Sequence, residues 1–220
     1  MTTQLILAPG AAVYGTIMND QESLVRLGDA AGQPPYKGLP AAPVLYVKPR
    51  NTWAGQGVAV GLPAGETQVE VGAVLGLRMG RDAARLSAQS ALDAVDACIL
   101  AADLSLPHDS YYRPAIRQKS FDLSLPMTLL PAQALSQLDS LVLNTCIDGQ
   151  PQVSRALAGL LRSPAQLLAD VTEFMTLRQG DVLLLGVVYQ SPLAALGSSV
   201  QIQADGLATL EFTITQEARA

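Results

Sequence analysis

The stretch from Gln68 to Met79 constrains the fold more than any other part of the sequence. Along it, apolar residues alternate with small or polar ones, which is the period of a strand that places one face in a core. The face predicted to be buried consists of Val69, Val71, Ala73, Leu75 and Leu77. The opposite face carries Gln68 and Glu70, followed by small residues that leave space beside the Glu70 carboxylate. An acidic side chain in so apolar a strand is expected to have a partner, because a buried unpaired charge is costly.

Other short apolar segments, bounded by proline and glycine, predict strands along most of the chain. Two strands are predicted on either side of a turn at Pro9-Gly10, and another starts at Val44 and is ended by Pro49. An Asp148-Gly149 pair predicts a hairpin turn. Two alternating strands close the sequence, so strands predominate.

Only two helices are predicted. The first covers Ser87 to Asp96 with Ser87 as its N-cap, and the second starts from Ser163 and buries a stripe that includes Phe174 and Met175. Strands and helices do not alternate regularly enough for a Rossmann fold. The predicted fold class is therefore mainly β with short helices (α+β), in a single domain that covers residues 1–220.

Composition limits the partners and the compartment. Hydrophobic residues make up 49% of the chain and charged residues 15%, so some apolar surface is expected to be buried in a dimer or larger oligomer. The net charge of -5 argues against a nucleic-acid partner. No apolar run approaches the roughly 20 residues needed to span a bilayer, and the N-terminus has no clear processing pattern. Cys98 and Cys146 match neither a zinc spacing nor a disulfide framework, which predicts buried thiols in a cytoplasmic protein without a membrane partner.

Most of the reactive side chains lie between Asp103 and Asp122. Asp103 follows an apolar run predicted to be a strand, and together with Glu70 it could supply oxygen ligands to a hard divalent cation such as magnesium. Both could equally be solvated acids at strand ends. Lys119 could bind a substrate carboxylate or act as an acid or base, or it could be an ordinary surface lysine.

Two further candidates lie near the ends of predicted strands. Asn19 belongs to a polar cluster that could line a site or form a solvated loop. Lys48, with Arg50 and Asn51, could clamp an anion, or the three could form a solvated strand end. His108 is no evidence for a catalytic triad, because no nucleophile elbow accompanies it.

Taken in order, five segments resemble the fumarylacetoacetate hydrolase family across nearly the whole chain. The segments are Gly15 to Asn19, Val44 to Asn51, Gln68 to Gly76, Ala102 to Asp122 and Val171 to Gly186. The resemblance implies a mixed β-sandwich roll with a metal ion, usually Mg²⁺ (or Mn²⁺ or Ca²⁺), held by a Glu-x-Glu pair and an aspartate. It also implies a keto or enol di- or tricarboxylic acid substrate from aromatic-ring cleavage, and isomerisation or decarboxylation.

The resemblance assigns roles to several residues. Glu70 falls on the second glutamate of the pair and Asp103 on the aspartate. Lys119 falls on the catalytic lysine, and Tyr112 and Arg113 fall on residues near the substrate.

The chain also departs from the family pattern. Gln68 replaces the first glutamate, so the ligand set has one carboxylate fewer. Ser23 stands where the family has a water-activating histidine, and Leu185 to Val188 replace a Thr-Gly-Thr-Pro signature. These departures leave two hypotheses open: a metal-dependent isomerase/decarboxylase, or a catalytically reduced subunit. The reduced subunit would pair with a metal-competent paralogue. The isomerase/decarboxylase would be a homodimer or a heterodimer with a paralogous subunit.

Overall fold

The computed structural model describes residues 6–34, 38–108, 115–204 and 206–217. Within these residues the strands form two sheets that share one hydrophobic core. The strands of the first sheet are β1 (Val13–Ile17), β2 (Val44–Val47), β3 (Trp53–Ala54), β5 (Gln68–Met79), β6 (Val95–Ser105), β7 (Leu125–Leu129), β10 (Val182–Leu184) and β11 (Leu193–Ala195). Those of the second are β4 (Ala59–Leu62), β8 (Val142–Ile147), β9 (Gln150–Ala156), β12 (Ser199–Ala204) and β13 (Ala208–Gln216).

Helices are short and lie in the connections between strands. The α-helices of the described residues are α1 (Gln21–Leu27), α2 (Ile116–Lys119) and α3 (Pro164–Phe174). Single turns of 3₁₀-helix occur at Gly28–Gly32, Arg50–Thr52, Ala91–Ala94 and Leu157–Gly159, with a longer 3₁₀ stretch at Ala132–Ser140. The prediction of a mainly β fold with short helices is confirmed. Among the described residues, no helix has the length and apolar character needed to cross a membrane.

The first sheet is curled, and one short connection shows why. Its strands run in the order β2-β1-β10-β5-β6-β7-β3, with β11 beside β5, so β2 and β3 are the outermost of this order. A flat sheet would hold them about 29 Å apart, at about 4.8 Å per step. The chain passes from Val47 at the end of β2 to Trp53 at the start of β3 through a segment that spans at most about 22 Å. The sheet must therefore roll up, and this connection closes the roll.

The two faces of β5 lie in different clusters. The face predicted to be buried packs with the second sheet and α3, and its residues Val69, Val71, Leu75 and Leu77 are fully buried. The other face looks into the roll, where Val74 packs in a smaller apolar cluster. Because β5 pairs with β6 along most of its length, groups on this inner face are held rigidly at the mouth of the roll.

A buried arginine ties the second sheet to the first. Arg155 on β9 pairs with Asp20 at 2.9 Å, and Asp20 also caps α1 by accepting a hydrogen bond from the Ser23 amide. The Arg155 guanidinium donates to the carbonyl oxygens of Ala73 and Gly186 at 3.2 and 2.8 Å. Burial lowers the pKa of Arg155, and Asp20 opposes that shift. One side chain thus joins α1, β5 and the segment after β10.

The helix predicted over Ser87 to Asp96 is wrong. The structure has turns there, a short 3₁₀ turn, and then β6, which begins at Val95. Ser87 lies 2.9 Å from the Ser90 hydroxyl and caps no α-helix. The residues at the end of the predicted helix are recruited into the sheet, because Val95 pairs with Met79 and Asp96 accepts a hydrogen bond from Arg78 at 2.8 Å. Long-range pairing outweighs a weak helical preference here.

Three smaller expectations are also wrong. Residues 6–8 before Pro9-Gly10 form no strand, and only β1 follows that turn. Phe174 is 65% exposed and does not belong to the buried stripe of α3, whereas Met175 is half-buried and packs against the core. Cys146 is half-buried on the outer face of β8, whereas Cys98 is buried as expected.

Two local predictions are confirmed. Asp148 and Gly149 have φ values of 52° and 74° and connect β8 to β9, as expected for a type I′ hairpin. Ser163 caps α3 by accepting a hydrogen bond from the Gln166 amide.

We expect Arg155→Met to lower the free energy of unfolding by about 3–5 kcal/mol, because it leaves the Asp20 carboxylate buried without its partner. Arg78→Met is the matched control: it removes an exposed ion pair with Asp96 and should cost less than about 1 kcal/mol. Urea unfolding followed by circular dichroism measures both. Equal effects of the two substitutions would contradict the bridging role of Arg155.

Candidate active site

A buried carboxylate lies at the centre of the candidate site. Asp103 is 1% exposed and faces Gly72 across the β5–β6 pair, so its side chain lies on the inner face of the roll, as does Glu70. Its Oδ1 lies 3.1 Å from the Lys48 ammonium and its Oδ2 lies 2.9 Å from that of Lys119. The phenol of Tyr46 also donates a hydrogen bond to Oδ2. Two cations and a phenol thus surround one carboxylate.

Lys48 is fully buried in a set of oxygen acceptors. Its Nζ donates to the Lys119 carbonyl at 2.5 Å, to the Ser124 carbonyl and hydroxyl at 3.1 Å each, and to the Leu104 carbonyl at 3.4 Å. These contacts join the end of α2 to the end of β6. Arg50 and Asn51 are exposed, so the structure does not bring the three groups of the predicted anion clamp together, and Lys48 is not part of a solvated strand end.

Lys119 is held from two sides. It is 6% exposed, which excludes the interpretation as a surface lysine. Its Nζ donates to Asp103 Oδ2 and lies 5.0 Å from the centroid of the Tyr46 ring, within the range of a cation–π contact. It is the last residue of α2, and its own carbonyl binds Lys48.

The charges in the cluster shift one another. Burial raises the pKa of Asp103, but Lys119, Lys48 and the Tyr46 hydrogen bond outweigh it and hold the pKa at about 2. Burial lowers the pKa of Lys48 to about 8, against the attraction of Asp103. The pKa of half-buried Glu70 is raised, first by burial and then by Asp103, while Lys119 opposes the shift. Asp103 is therefore a fixed anion, and Glu70 is the carboxylate that binds a proton more readily.

The predicted metal ligands do not form a cage in this arrangement. Both Asp103 oxygens lie against ammonium groups, Glu70 is half-buried, and Gln68 is exposed on the outer part of β5, paired with Ala195. The described residues hold no cluster of three or more His, Cys, Asp or Glu side chains that could bind a metal ion. A divalent cation would have to displace two lysines from its only fully buried carboxylate ligand, so these side chains do not fit one as placed.

The segment that replaces the Thr-Gly-Thr-Pro signature forms an apolar wall. Leu185 and Val188 are buried, and Val187 packs over Gly72, where an added β-carbon would lie 2.8 Å from Val187 Cγ1. The space expected beside Glu70 is thus partly filled. Ser23 accepts a hydrogen bond from the Tyr189 amide at 2.9 Å and fastens this segment to α1.

The other predicted substrate-binding residues are placed apart or lie outside the described residues. Asn19 is 1% exposed, and its side-chain nitrogen donates hydrogen bonds to the carbonyl oxygens of Leu185 and Arg162. Its side-chain oxygen accepts a hydrogen bond from the backbone amide of Arg162. It therefore braces the main chain behind the wall. Tyr112 and Arg113 lie outside the residues that the structure describes.

Sequence reasoning missed Tyr46, Ser124 and Arg155. Tyr46 lies in β2, two residues before Lys48, which directly follows the strand; in extended chain this spacing places both side chains on the same side and could have identified Tyr46. Nothing in the local sequence indicates that the Ser124 oxygens receive an ammonium or that Arg155 crosses between sheets.

Comparison of the whole sequence with known proteins identifies the family. The sequence model of the family described as "Fumarylacetoacetate (FAA) hydrolase C-terminal" matches residues 12–215. The chain belongs to this family.

Bacterial relatives narrow the resemblance further. The chain is 36% identical over 205 residues to the 4-hydroxyphenylacetate degradation bifunctional isomerase/decarboxylase of Escherichia coli, a match that covers 93% of this chain and 47% of that protein. It is 34% identical over 205 residues to the homoprotocatechuate catabolism bifunctional isomerase/decarboxylase of Escherichia coli, with the same coverage of 93% and 47%. The chain thus spans about half the length of these relatives.

Solved structures share the fold. The 5-carboxymethyl-2-hydroxymuconate delta-isomerase of Mycobacterium smegmatis superposes with a TM-score of 0.79 at 23% identity, covering 98% of this chain and 83% of that one. The fumarylpyruvate hydrolase of Pseudomonas aeruginosa, in complex with Mn²⁺ and pyruvate, gives a TM-score of 0.80 at 18% identity, covering 99% and 97%. The fold is therefore that of the family.

We expect Asp103→Asn to lower the free energy of unfolding at neutral pH by about 3–5 kcal/mol, because two buried lysines lose their counterion. The contribution of the carboxylate is complete above its usual pKa of 3.8 and is lost as the pH falls toward its folded pKa of about 2. The difference between wild type and variant should therefore shrink as the pH is lowered from about 4 to about 2. Urea unfolding at each pH measures it, with exposed Asp96→Asn as the control; a constant difference would contradict the ion-pair assignment.

Proposed function

We propose that this chain carries the isomerase site of an isomerase/decarboxylase that acts on keto/enol di- or tricarboxylic acids from aromatic-ring cleavage, as in 4-hydroxyphenylacetate catabolism. The observation that carries the proposal is the Lys119–Asp103 pair at the mouth of the roll, near Glu70, whose carboxyl pKa is raised by burial. The names of the half-matched bacterial relatives supply the substrate class. A substrate of the 2-hydroxyhepta-2,4-diene-1,7-dioate type belongs to this class.

The residues suit a 1,3-proton shift, which needs an acid and a base but no attacking water. In the proposed reaction, Glu70 Oε takes the proton of the substrate enol hydroxyl, and Lys119 Nζ gives a proton to the carbon adjacent to the one that bears the hydroxyl group. The proton on Glu70 then returns to Lys119, which restores the site. Asp103 holds the Lys119 ammonium in place, and a raised carboxyl pKa suits Glu70 to the role of a base.

We propose that Tyr112 and Arg113 contribute to substrate binding, which is the role that the family resemblance assigns to them; both lie outside the described residues. Lys48 is assigned the internal role of fastening α2 to β6, because its ammonium is fully buried.

Decarboxylation is proposed to need a second unit. Loss of CO₂ from a keto acid places negative charge on an enolate, which a bound Mg²⁺ or Mn²⁺ stabilises as a Lewis acid. The ligand set of Gln68, Glu70 and Asp103 does not fit such an ion as placed, and the bacterial relatives are about twice as long as this chain. We therefore propose a heterodimer with a paralogous, metal-competent subunit that carries out this step.

A second candidate function follows from the same observation. If the neutralised Asp103 marks a site that has lost its chemistry, the chain serves as a catalytically reduced subunit and contributes mainly an interface to its paralogue. The filled space over Gly72 and the exposed Gln68 favour this alternative.

We expect Lys119→Met to reduce turnover of 2-hydroxyhepta-2,4-diene-1,7-dioate by about 10²–10⁴-fold, the usual contribution of a general acid. Arg117→Met is the matched control, because Arg117 lies on the same helix but its side chain is 76% exposed. Loss of ultraviolet absorbance measures the isomerisation. Turnover by Lys119→Met at the wild-type rate would eliminate the proposed role.

Adding a chelator separates the two activities. Isomerisation by the chain alone should be unaffected by EDTA, whereas decarboxylation of 5-oxopent-3-ene-1,2,5-tricarboxylate should require both a divalent ion and the paralogous subunit. No isomerisation by the chain alone, but full activity in the complex, would instead favour the catalytically reduced subunit.

A further inference from the structure

We propose that Tyr46 is a positioning residue that holds the Lys119 ammonium in its working place. The proposal deepens the proposed function and rests on Lys119 being the proton donor. The family resemblance assigns no role to this tyrosine.

Tyr46, Asp103 and Lys119 form a closed triangle. The phenol donates to Asp103 Oδ2, the oxygen that also accepts a hydrogen bond from Lys119 Nζ at 2.9 Å. The same Nζ lies 5.0 Å from the centre of the Tyr46 ring. The hydroxyl fixes the carboxylate oxygen, and the ring attracts the ammonium directly. Tyr46 therefore acts on Lys119 through two separate contacts.

The position of Tyr46 in the fold favours a role at the site. It lies on β2, an outer strand of four residues, and its side chain is only half-buried. If this position served packing alone, an apolar side chain would fill it and would leave no phenol hydroxyl in need of a hydrogen-bond partner. In the sheet order three strands separate β2 from β6, so the curl of the sheet is what brings the phenol to Asp103.

Gly15 makes room for the ring. It is the partner of Tyr46 in the antiparallel β1–β2 pair, and an added β-carbon there would overlap the ring atoms and the phenol oxygen. A glycine within a strand weakens it, since it packs no side chain and restricts the chain less. Glycine at position 15 therefore lets the Tyr46 ring lie over β1, so that its hydroxyl reaches Asp103.

The test compares variants that remove one contact or both. Tyr46→Phe keeps the ring and removes the hydroxyl, Tyr46→Leu removes both, and Gly15→Ala displaces an intact Tyr46. Tyr14→Phe is the control, because Tyr14 lies on the adjacent strand β1 and packs against the main hydrophobic core. Thermal unfolding of each variant confirms that it is folded before it is assayed.

Two readouts are needed, and one does not depend on activity. Acetylation of Lys119 in the folded protein, quantified by mass spectrometry, should rise about ten-fold in Tyr46→Phe, as expected when a hydrogen bond to a charged group is lost. It should rise further in Tyr46→Leu and Gly15→Ala and stay at the wild-type level in Tyr14→Phe. In the isomerase assay kcat should fall in the same order with KM unchanged.

The outcomes separate this proposal from the function it rests on. Wild-type acetylation of Lys119 in Tyr46→Phe, Tyr46→Leu and Gly15→Ala alike would overturn the positioning role whatever the activity. The predicted acetylation pattern in a protein without isomerase activity would support the positioning role and contradict the proposed function.

Discussion

The site depends on the burial of one carboxylate between two ammonium groups. Removing Asp103 from water is costly, and the charges of Lys48 and Lys119 offset that cost strongly enough to keep its pKa at about 2. The three groups come from separate parts of the chain: β6, the connection after β2, and the end of α2. The pair of ion contacts therefore requires the sheet to be curled, and the curl in turn places Glu70 and Tyr46 beside the same lysine.

The ion-paired Asp103 accompanies the departures from the family pattern. A metal cage needs free carboxylate oxygens, whereas this site has a saturated one, an exposed glutamine and an apolar wall in place of hydroxyl groups. We propose that such a site retains groups that can move protons but does not fit a Lewis acid as placed. For this reason the proposal assigns isomerisation to this chain and decarboxylation to a partner unit.

The fold class could be predicted from local patterns, but the contacts between distant side chains could not. The two-residue period of β5 identified its buried face and placed Glu70 opposite it, and the family resemblance identified Asp103 and Lys119. The role of Tyr46 was missed because it depends on the curl of the sheet, which no short segment encodes. The predicted helix at Ser87 to Asp96 failed for a similar reason, since Val95 is held by its pairing with Met79 in β5. Sequence periodicity reports which face of an element is buried, and it does not report which distant group lies against it.

A crystal structure of the chain grown with excess MnCl₂ at neutral pH tests the central claim most directly. The account predicts that Lys48 and Lys119 stay within ion-pair distance of Asp103, as they are at 3.1 and 2.9 Å here, with no anomalous manganese peak beside the carboxylate. A manganese ion bound between Glu70 and Asp103, with the two lysines displaced, would contradict it.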